Sequence, residues 1–485
     1  MAKLDTVLEA YIGSSLVPTI MSINAGKLFA SELYFDMFYI TITAGQVISS
    51  LISSLYFSTR FYARTRNQLV LLLASLLTTS LVSSIACFHS IRLNLKGQHS
   101  YKLPATLEGN EDVFRYHLHT DLIPGLIIFS QTILCSLIRN ELMYRAKRTF
   151  TFGEAAIVSQ LSSSAYLVWA LSCYSKLTGA GPFQLDQTTD LILNIGMSLF
   201  GLIFLPFYLN LIGKTSTAKY CLLAAGGSTC YIVSKNIITT SRIDDPFTWL
   251  IDYIFSTHQR LSLFSLWLST LAACVSLATS WTRMVGQTNC LVRKVFHLAL
   301  CVVFISGYNQ DIHFTSFAAG GMLTVTFLLE IIRVWNLYPI GGHLEKVCSA
   351  LRGKWDNRYL TLSHMYLLVG IMLPLWILPR NIESQNKLSI SSGLISVGVG
   401  DTAAAVVGTF YGKLRIGKSG KTAEGFLGNI ISMQAFKLVW IGYSDLTGEL
   451  SFFMVASFTA FAEIISRNCD NLMLPLVMLL FLEIF

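Results

Sequence analysis

Gly398-Val399-Gly400-Asp401-Thr402-Ala403-Ala404-Ala405, then Gly408 and Gly412, then Arg415-Ile416-Gly417-Lys418-Ser419-Gly420-Lys421-Thr422-Ala423-Glu424-Gly425, is the stretch on which the reading of this chain turns. It sets an acid among small apolar residues and ends in a short basic loop that carries glycines. An ionisable group inside a segment apolar enough to cross a bilayer is costly, so it needs a partner, an ion or a function. Asp401 stands twelve residues before Lys413, roughly 18 Å along one straight helix, which places it near the middle of the membrane. Gly398 and Gly400 are expected to break the helix there and admit water or an ion. Asp401, Ala405, Gly408 and Gly412 share one helical face, and a face of small residues lets a second helix come close. Two readings follow for Asp401: a hydrogen bond across a tight helix contact, or a Mg²⁺ ligand or catalytic carboxylate.

The surrounding composition places that segment in a membrane. Of 485 residues, 53% are hydrophobic and 13% charged, about half the charged share of an ordinary soluble protein. Apolar runs of about 20 residues recur, long enough to cross a hydrocarbon core. Without water to satisfy the backbone they must be helices. The chain is therefore expected to be all-α and polytopic, with about 12–15 transmembrane helices. The spans are expected near 34–56, 68–89, 121–138, 155–175, 189–212, 219–239, 261–282, 295–310, 313–333, 361–380, 389–411, 425–443, 451–466 and 471–485.

The formal net charge is +8. The lysines and arginines collect in loops and make no basic patch interleaved with aromatics, so nucleic acid is not an expected partner. Their clusters are Arg60 to Arg66, Arg139 to Arg148, Arg283 to Lys294, Arg333 to Arg358, and Lys413 to Lys421. An even number of expected spans separates each cluster from the next, so all fall on one face, the cytosolic one by the positive-inside rule. The ten cysteines form no CxxC pair and fall largely within apolar runs; they read as small apolar fillers. Met1 to Ala30 lacks a basic start followed by a long apolar core and is not expected to be a cleavable signal.

Polar residues divide the chain into two regions. Residues 1–280 are long apolar spans with plain loops, expected to serve as scaffold and to accommodate lipid. Residues 281–485 hold nearly every polar residue set in or against a span. The loop 412–425 ends like a P-loop, but Arg415 stands where that motif needs its first glycine. A cradle for phosphate remains: glycines free backbone N–H groups, and Arg415 and Lys421 supply charge. Glu463 lies in an apolar run, with Asp470 near the same helical face; a helix-end pairing with Arg467 is the alternative. Arg293 and Lys294 precede His297, one turn into a span: an arrangement able to meet phosphate, or a membrane-entry histidine hydrogen-bonded to a carbonyl. Glu330 and Arg333 stand at i and i+3 and are expected to pair. No catalytic signature of serine hydrolases, zincins, protein kinases or dinucleotide enzymes is present.

Taken together, the C-terminal half resembles the CTP-dependent polyprenol and lipid kinases, most of all the dolichol-kinase branch. The resemblance is carried by Arg293-Lys294-x-x-His297, Glu330-x-x-Arg333, Ser363-His364-Met365-Tyr366-Leu367-Leu368-x-Gly370 and Leu373-Pro374-Leu375-Trp376. It continues through Gly400-Asp401-Thr402-Ala403-Ala404, Lys421-Thr422-x-Glu424-Gly425, Glu463 and Asp470-Asn471-Leu472-x-x-Pro475. One run departs from the family's Pro-Gly-Ser/Thr-Lys-Lys-Thr pattern: the proline is replaced and a glycine and a lysine are exchanged. The match therefore extends to Lys421 and not to Lys418.

The resemblance implies transfer of the γ-phosphoryl of CTP to the terminal hydroxyl of dolichol in the endoplasmic reticulum membrane, giving dolichyl phosphate for protein glycosylation. It implies a nucleotide loop of Arg415, Gly417, Ser419, Gly420, Lys421, Thr422 and Glu424, with Arg293 and Lys294 as further phosphate partners. Asp401, with Asp470, would hold Mg²⁺. Asp401 or Glu463 would orient or deprotonate the hydroxyl, with His297 as a further catalytic candidate. Expected partners are dolichol in the bilayer and CTP; association with a second copy of the chain is left open. Kinases of diacylglycerol or phytol, a cytidylyltransferase, and a transporter with Asp401 as its ion site are the rival readings.

Overall fold

A backbone that must satisfy its own hydrogen bonds in lipid has one local solution for a single segment, and the computed structural model is helical almost throughout. It describes residues 123–145, 150, 152–178, 186–201, 216–238, 245–285, 290–351, 360–377, 387–416, 420–466 and 470–485. The spans expected near 34–56 and 68–89, the first basic cluster, Asp356-Asn357-Arg358, Gly417-Lys418-Ser419 and Arg467 lie outside the described residues.

In chain order the helices are α1 (Ile123–Arg145), α2 (Phe152–Thr178), α3 (Gln187–Leu199), α4 (Ser216–Ile238), α5 (Pro246–Phe255), α6 (His258–Val285), α7 (Cys290–Gln310), α8 (Ile312–Trp335), α9 (Gly341–Leu351) and α10 (Ser363–Ile377). The short α11 (Lys387–Ile390) leads into a π-helical segment, Leu394–Asp401, which continues as α12 (Thr402–Phe410). A two-residue hairpin, β1 (Arg415–Ile416) and β2 (Lys421–Thr422), precedes α13 (Ala423–Trp440), α14 (Leu446–Ile465) and α15 (Asp470–Ile484).

Each expected span from 121 onward overlaps one of these helices. Among the described residues, five helices are long and apolar enough to cross a membrane: those within α2, α4, α6, α8 and α14. The protein is an all-α, multi-pass membrane protein. Leu266, Leu268 and Leu277 on α6, and Leu427, Ile431 and Val439 on α13, are exposed. Apolar side chains on the outside are what a surface solvated by lipid tails requires.

The helices fall into two compact units. One comprises Met1–Gln184, Ile377–Asn386 and Ile465–Phe485; among its described helices α1 packs along α2, joined by Gln131 Nε2 donating to Ser163 Oγ at 3.2 Å. The other comprises Leu185–Trp376 and Lys387–Ile464. Helices α3 to α6 thus share a unit with α7 and α8.

In this second unit Leu191, Ile238 and Trp249 form one core cluster. Leu199, Ile331, Trp335 and Leu337 form another. Asp311 caps α8 by accepting from Phe314 N–H at 2.8 Å, and its second oxygen accepts from Arg260 Nε at 2.8 Å. That tie fixes α6 against the start of α8.

Gly398 and Gly400 do not break the helix as expected. They let neighbours touch it. A Cβ on Gly398 would strike Cys301 Sγ of α7, and one on Gly400 would strike Asn429 Oδ1 of α13. The expected small-residue contact is present on the next turns. A Cβ on Gly425 of α13 would lie 2.9 Å from the Ala404 carbonyl oxygen and 3.4 Å from Gly408 Cα, both on α12. Backbone cannot yield as a side-chain tip can. Gly425→Ala is therefore expected to wedge α12 from α13 and lower stability by about 1–3 kcal/mol. Thermal unfolding of the purified protein in detergent would show it as a lowered midpoint; an unchanged midpoint would mean the two helices are not held at this distance.

Candidate active site

The residues that pair around Asp401 are more than a hundred positions apart in sequence, and helix packing brings them together. Helix α7 lies along both the π-helical segment and α12. Lys294 and His297, one turn apart on α7, face Asp401 at the end of the π segment. The Lys294 ammonium forms an ion pair with Asp401 Oδ2. All three side chains are buried, Asp401 at 5% exposure. A buried carboxylate needs such a counter-charge to remain ionised. The π segment adds a residue per turn, a local irregularity often found at functional sites.

His297 is held by its own helix. Its Nδ1 lies 3.1 Å from the Arg293 carbonyl, which can only accept, so Nδ1 carries the proton. Nε2 lies 3.5 Å from both Lys294 Nζ and Asp401 Oδ2. His297 thus stands against the Lys294–Asp401 pair; Arg293 itself has its side chain exposed.

A second acid–lysine pair comes from the other side of the sequence. Residues 415 and 416 pair antiparallel with 422 and 421. This register puts Ile416 and Lys421 on one face of the hairpin and Arg415 and Thr422 on the other. Lys421 reaches α14, donating to the Glu463 main-chain oxygen and lying 3.2 Å from Glu463 Oε1. Glu463 Oε2 accepts from Asn429 Nδ2 at 2.9 Å. Glu463 and Asn429 are both buried.

The hairpin is built to hold Lys421 there. Gly420 has φ +79°, a left-handed conformation that glycine adopts without strain. Thr422 caps α13, accepting from Gly425 N–H at 3.2 Å. Glu424 accepts the Leu414 N–H with both carboxylate oxygens, at 3.1 and 3.2 Å. Hydrogen bonds from its own backbone amide and from those of Leu414 and Lys413 hold the Glu424 carboxyl below the usual carboxylate range. Glu424 therefore clasps the hairpin, where the sequence pattern had placed it in the nucleotide loop. Arg415 is exposed. Gly417 and Ser419 are outside the described residues, and Asp470, at the start of α15, belongs to the other unit.

Two further ion-pair clusters brace the unit. Arg333 forks onto Glu330 at 2.7 and 2.8 Å and reaches Glu345 on α9, while Glu330 also accepts the Thr361 N–H ahead of α10. The expected pairing at i and i+3 is present, and it ties three helices. Lys437, buried on α13, pairs with Glu449 on α14 and bonds Ser444 Oγ at 2.9 Å.

Among the described residues no group of three or more His, Cys, Asp or Glu side chains is arranged to hold a metal. Mg²⁺ does not require one: it is commonly held by one or two carboxylates together with the phosphates of its nucleotide and water. Two buried oxygens near Asp401 in the fold have no hydrogen-bond partner: Thr402 Oγ1, on the next residue, and Asn429 Oδ1, which lies against Gly400. A carboxylate and neutral oxygens are the donor types a hard divalent cation takes.

Known proteins place the chain independently. It is 35% identical over 240 residues to Dolichol kinase EVAN of Arabidopsis thaliana, covering 48% of this chain and 42% of that protein. To the Dolichol kinase of Homo sapiens it is 28% identical over 364 residues, covering 70% of this chain and 66% of that protein. To the Dolichol kinase of Saccharomyces cerevisiae it is 27% identical over 244 residues, 49% and 44% respectively. The matches thus span between about two fifths and two thirds of these relatives' own lengths. No solved structure matches. The family model for Dolichol kinase matches residues 121–435, a stretch that takes in Lys294, His297, Asp401 and Lys421, and the chain belongs to the dolichol kinase family.

Proposed function

We propose that this protein transfers the γ-phosphoryl group of CTP to the terminal hydroxyl of dolichol, giving dolichyl phosphate for protein glycosylation. We place it in the endoplasmic reticulum membrane with the hairpin toward the cytosol, where CTP is. One observation carries the reading: two buried carboxylates, Asp401 and Glu463, each sit against a lysine, where a basic hairpin meets apolar helices. A phosphate-bearing substrate and a lipid hydroxyl can meet only at such a junction.

Phosphoryl transfer asks a protein mainly for positioning and charge stabilisation. Lys421 and Lys294 supply the charge. In the resting site their ammonium groups rest on Glu463 and Asp401; an entering triphosphate competes for both. Arg415, exposed on the hairpin's other face, adds to the field that draws the nucleotide in. Asp401 would hold the divalent cation, which when bound neutralises charge on the phosphate oxygens. Glu463, relieved of Lys421, takes the proton from the dolichol hydroxyl. That oxygen bonds to the γ-phosphorus as the bond to the β-phosphate oxygen breaks, and the electron pair leaves with CDP. His297, against the Lys294–Asp401 pair, keeps that pair in place. The lipid-facing surfaces of the apolar helices offer the polyprenol chain its solvent.

Identification of the nucleotide product tests the reaction class. Purified protein given CTP and dolichol is expected to release CDP. Release of pyrophosphate, with CMP joined to lipid, would replace phosphoryl transfer by cytidylyl transfer.

A further inference from the structure

Asn429 is one of the most deeply buried polar residues of α13, at 1% exposure. It stands in the apolar run Phe426-Leu427-Gly428-Asn429-Ile430-Ile431. Its amide nitrogen faces Glu463: Nδ2 donates to Glu463 Oε2 at 2.9 Å. Oδ1 therefore points the other way. There it lies against Gly400, whose missing Cβ makes room for it, one residue before Asp401. It accepts no hydrogen bond. A buried amide oxygen without a donor is rare and calls for an explanation. Thr402 Oγ1, one residue after Asp401, is buried and without a partner too. A serine or threonine within a helix commonly donates to the carbonyl four residues back, as Ser396, Thr409 and Thr459 do here.

We propose that Asn429 Oδ1 is a ligand of the divalent cation carried by Asp401, and that Asn429 thereby links that cation to Glu463. The inference rests on the reading of this site as a metal–nucleotide site. Oxygen-only donors of this kind select Mg²⁺ or Mn²⁺ over softer metals. Gly400 has its role in the same arrangement: any side chain there would push the amide oxygen from its place.

Mn²⁺ alone, titrated into the full-length protein in detergent and followed by water-proton relaxation, tests this. Asn429→Ala removes both amide groups; Asn429→Asp keeps an oxygen where Oδ1 stands and destroys the donation to Glu463. A ligand role predicts that Asn429→Ala weakens Mn²⁺ binding by roughly tenfold or more, while Asn429→Asp binds at least as tightly as the wild type. A role limited to holding Glu463 predicts the reverse order, with the aspartate no better than the alanine, and that result overturns the proposal. Wild-type affinity in Asn429→Ala, or no Mn²⁺ uptake by the wild type, also overturns it. Should Asn429→Ala not fold, the aspartate variant decides: retained binding supports the ligand, lost binding refutes it. If Mn²⁺ binding follows the expected order while CTP does not phosphorylate dolichol, the kinase reading fails and the ligand assignment stands.

Discussion

Asp401→Asn will lower dolichol phosphorylation by on the order of 10³-fold, the scale of losing a central electrostatic group in a dry site. Asparagine keeps the shape and still accepts from Lys294, but it carries no charge for a cation. The same change leaves the buried Lys294 ammonium without its counter-ion, a loss that costs about 3–5 kcal/mol when one member of a buried pair is removed. Rate and stability must therefore be separated. Adding Lys294→Met to Asp401→Asn removes the orphaned charge and is expected to recover thermal stability. Activity is expected to stay at the level of the single variant. Turnover near wild type in a folded Asp401→Asn protein would reduce Asp401 to a helix-packing residue.

Lys421→Met is expected to cost about 10²–10³-fold in kcat/KM for CTP. The ammonium is the group on the inner face of the hairpin that touches Glu463, and the hairpin register leaves Arg415 on the other face. Arg415 therefore cannot stand in for it. Arginine at 421 is expected to rescue poorly, because a planar fork does not replace a compact point charge reaching both a carboxylate and a main-chain oxygen. Steady-state rates over a range of CTP concentrations would show the loss in both KM and kcat. A Lys421→Met enzyme with wild-type kcat/KM would place the nucleotide elsewhere.

Long apolar runs made the membrane helices legible, because in lipid a run of about 20 residues has only one satisfied backbone conformation. Short elements were not. Helices α5 and α9 are too brief to register as spans. The hairpin pairs only two residues on each strand, too few for alternation to show. The Gly398-Val399-Gly400 sequence pointed to a broken helix, since glycine lowers helix propensity. The structure keeps the helix as a π segment and uses both glycines for close approach.

The candidate site divides in the same way. Asp401, Glu463 and Lys421 announced themselves as charges beside or within apolar runs. Their pairing did not: nothing local tells Asp401 that Lys294 is its partner, because that choice is made by how α7 packs on the π segment. Glu424 matched a pattern for nucleotide loops, and its carboxylate turned out to serve the hairpin backbone. Asn429 carried a faint signal, an uncharged amide within an apolar run one turn beyond Gly425.

A phosphotransfer assay on the purified protein, with Mg²⁺, dolichol and γ-labelled CTP, tests the central claim most directly. ATP and diacylglycerol run as parallel alternatives. The account predicts label in dolichyl phosphate with CTP as donor, reduced on the order of 10³-fold when Asp401→Asn replaces the wild type. Label in diacylglycerol instead of dolichol, or no label in any lipid from folded protein, would contradict it.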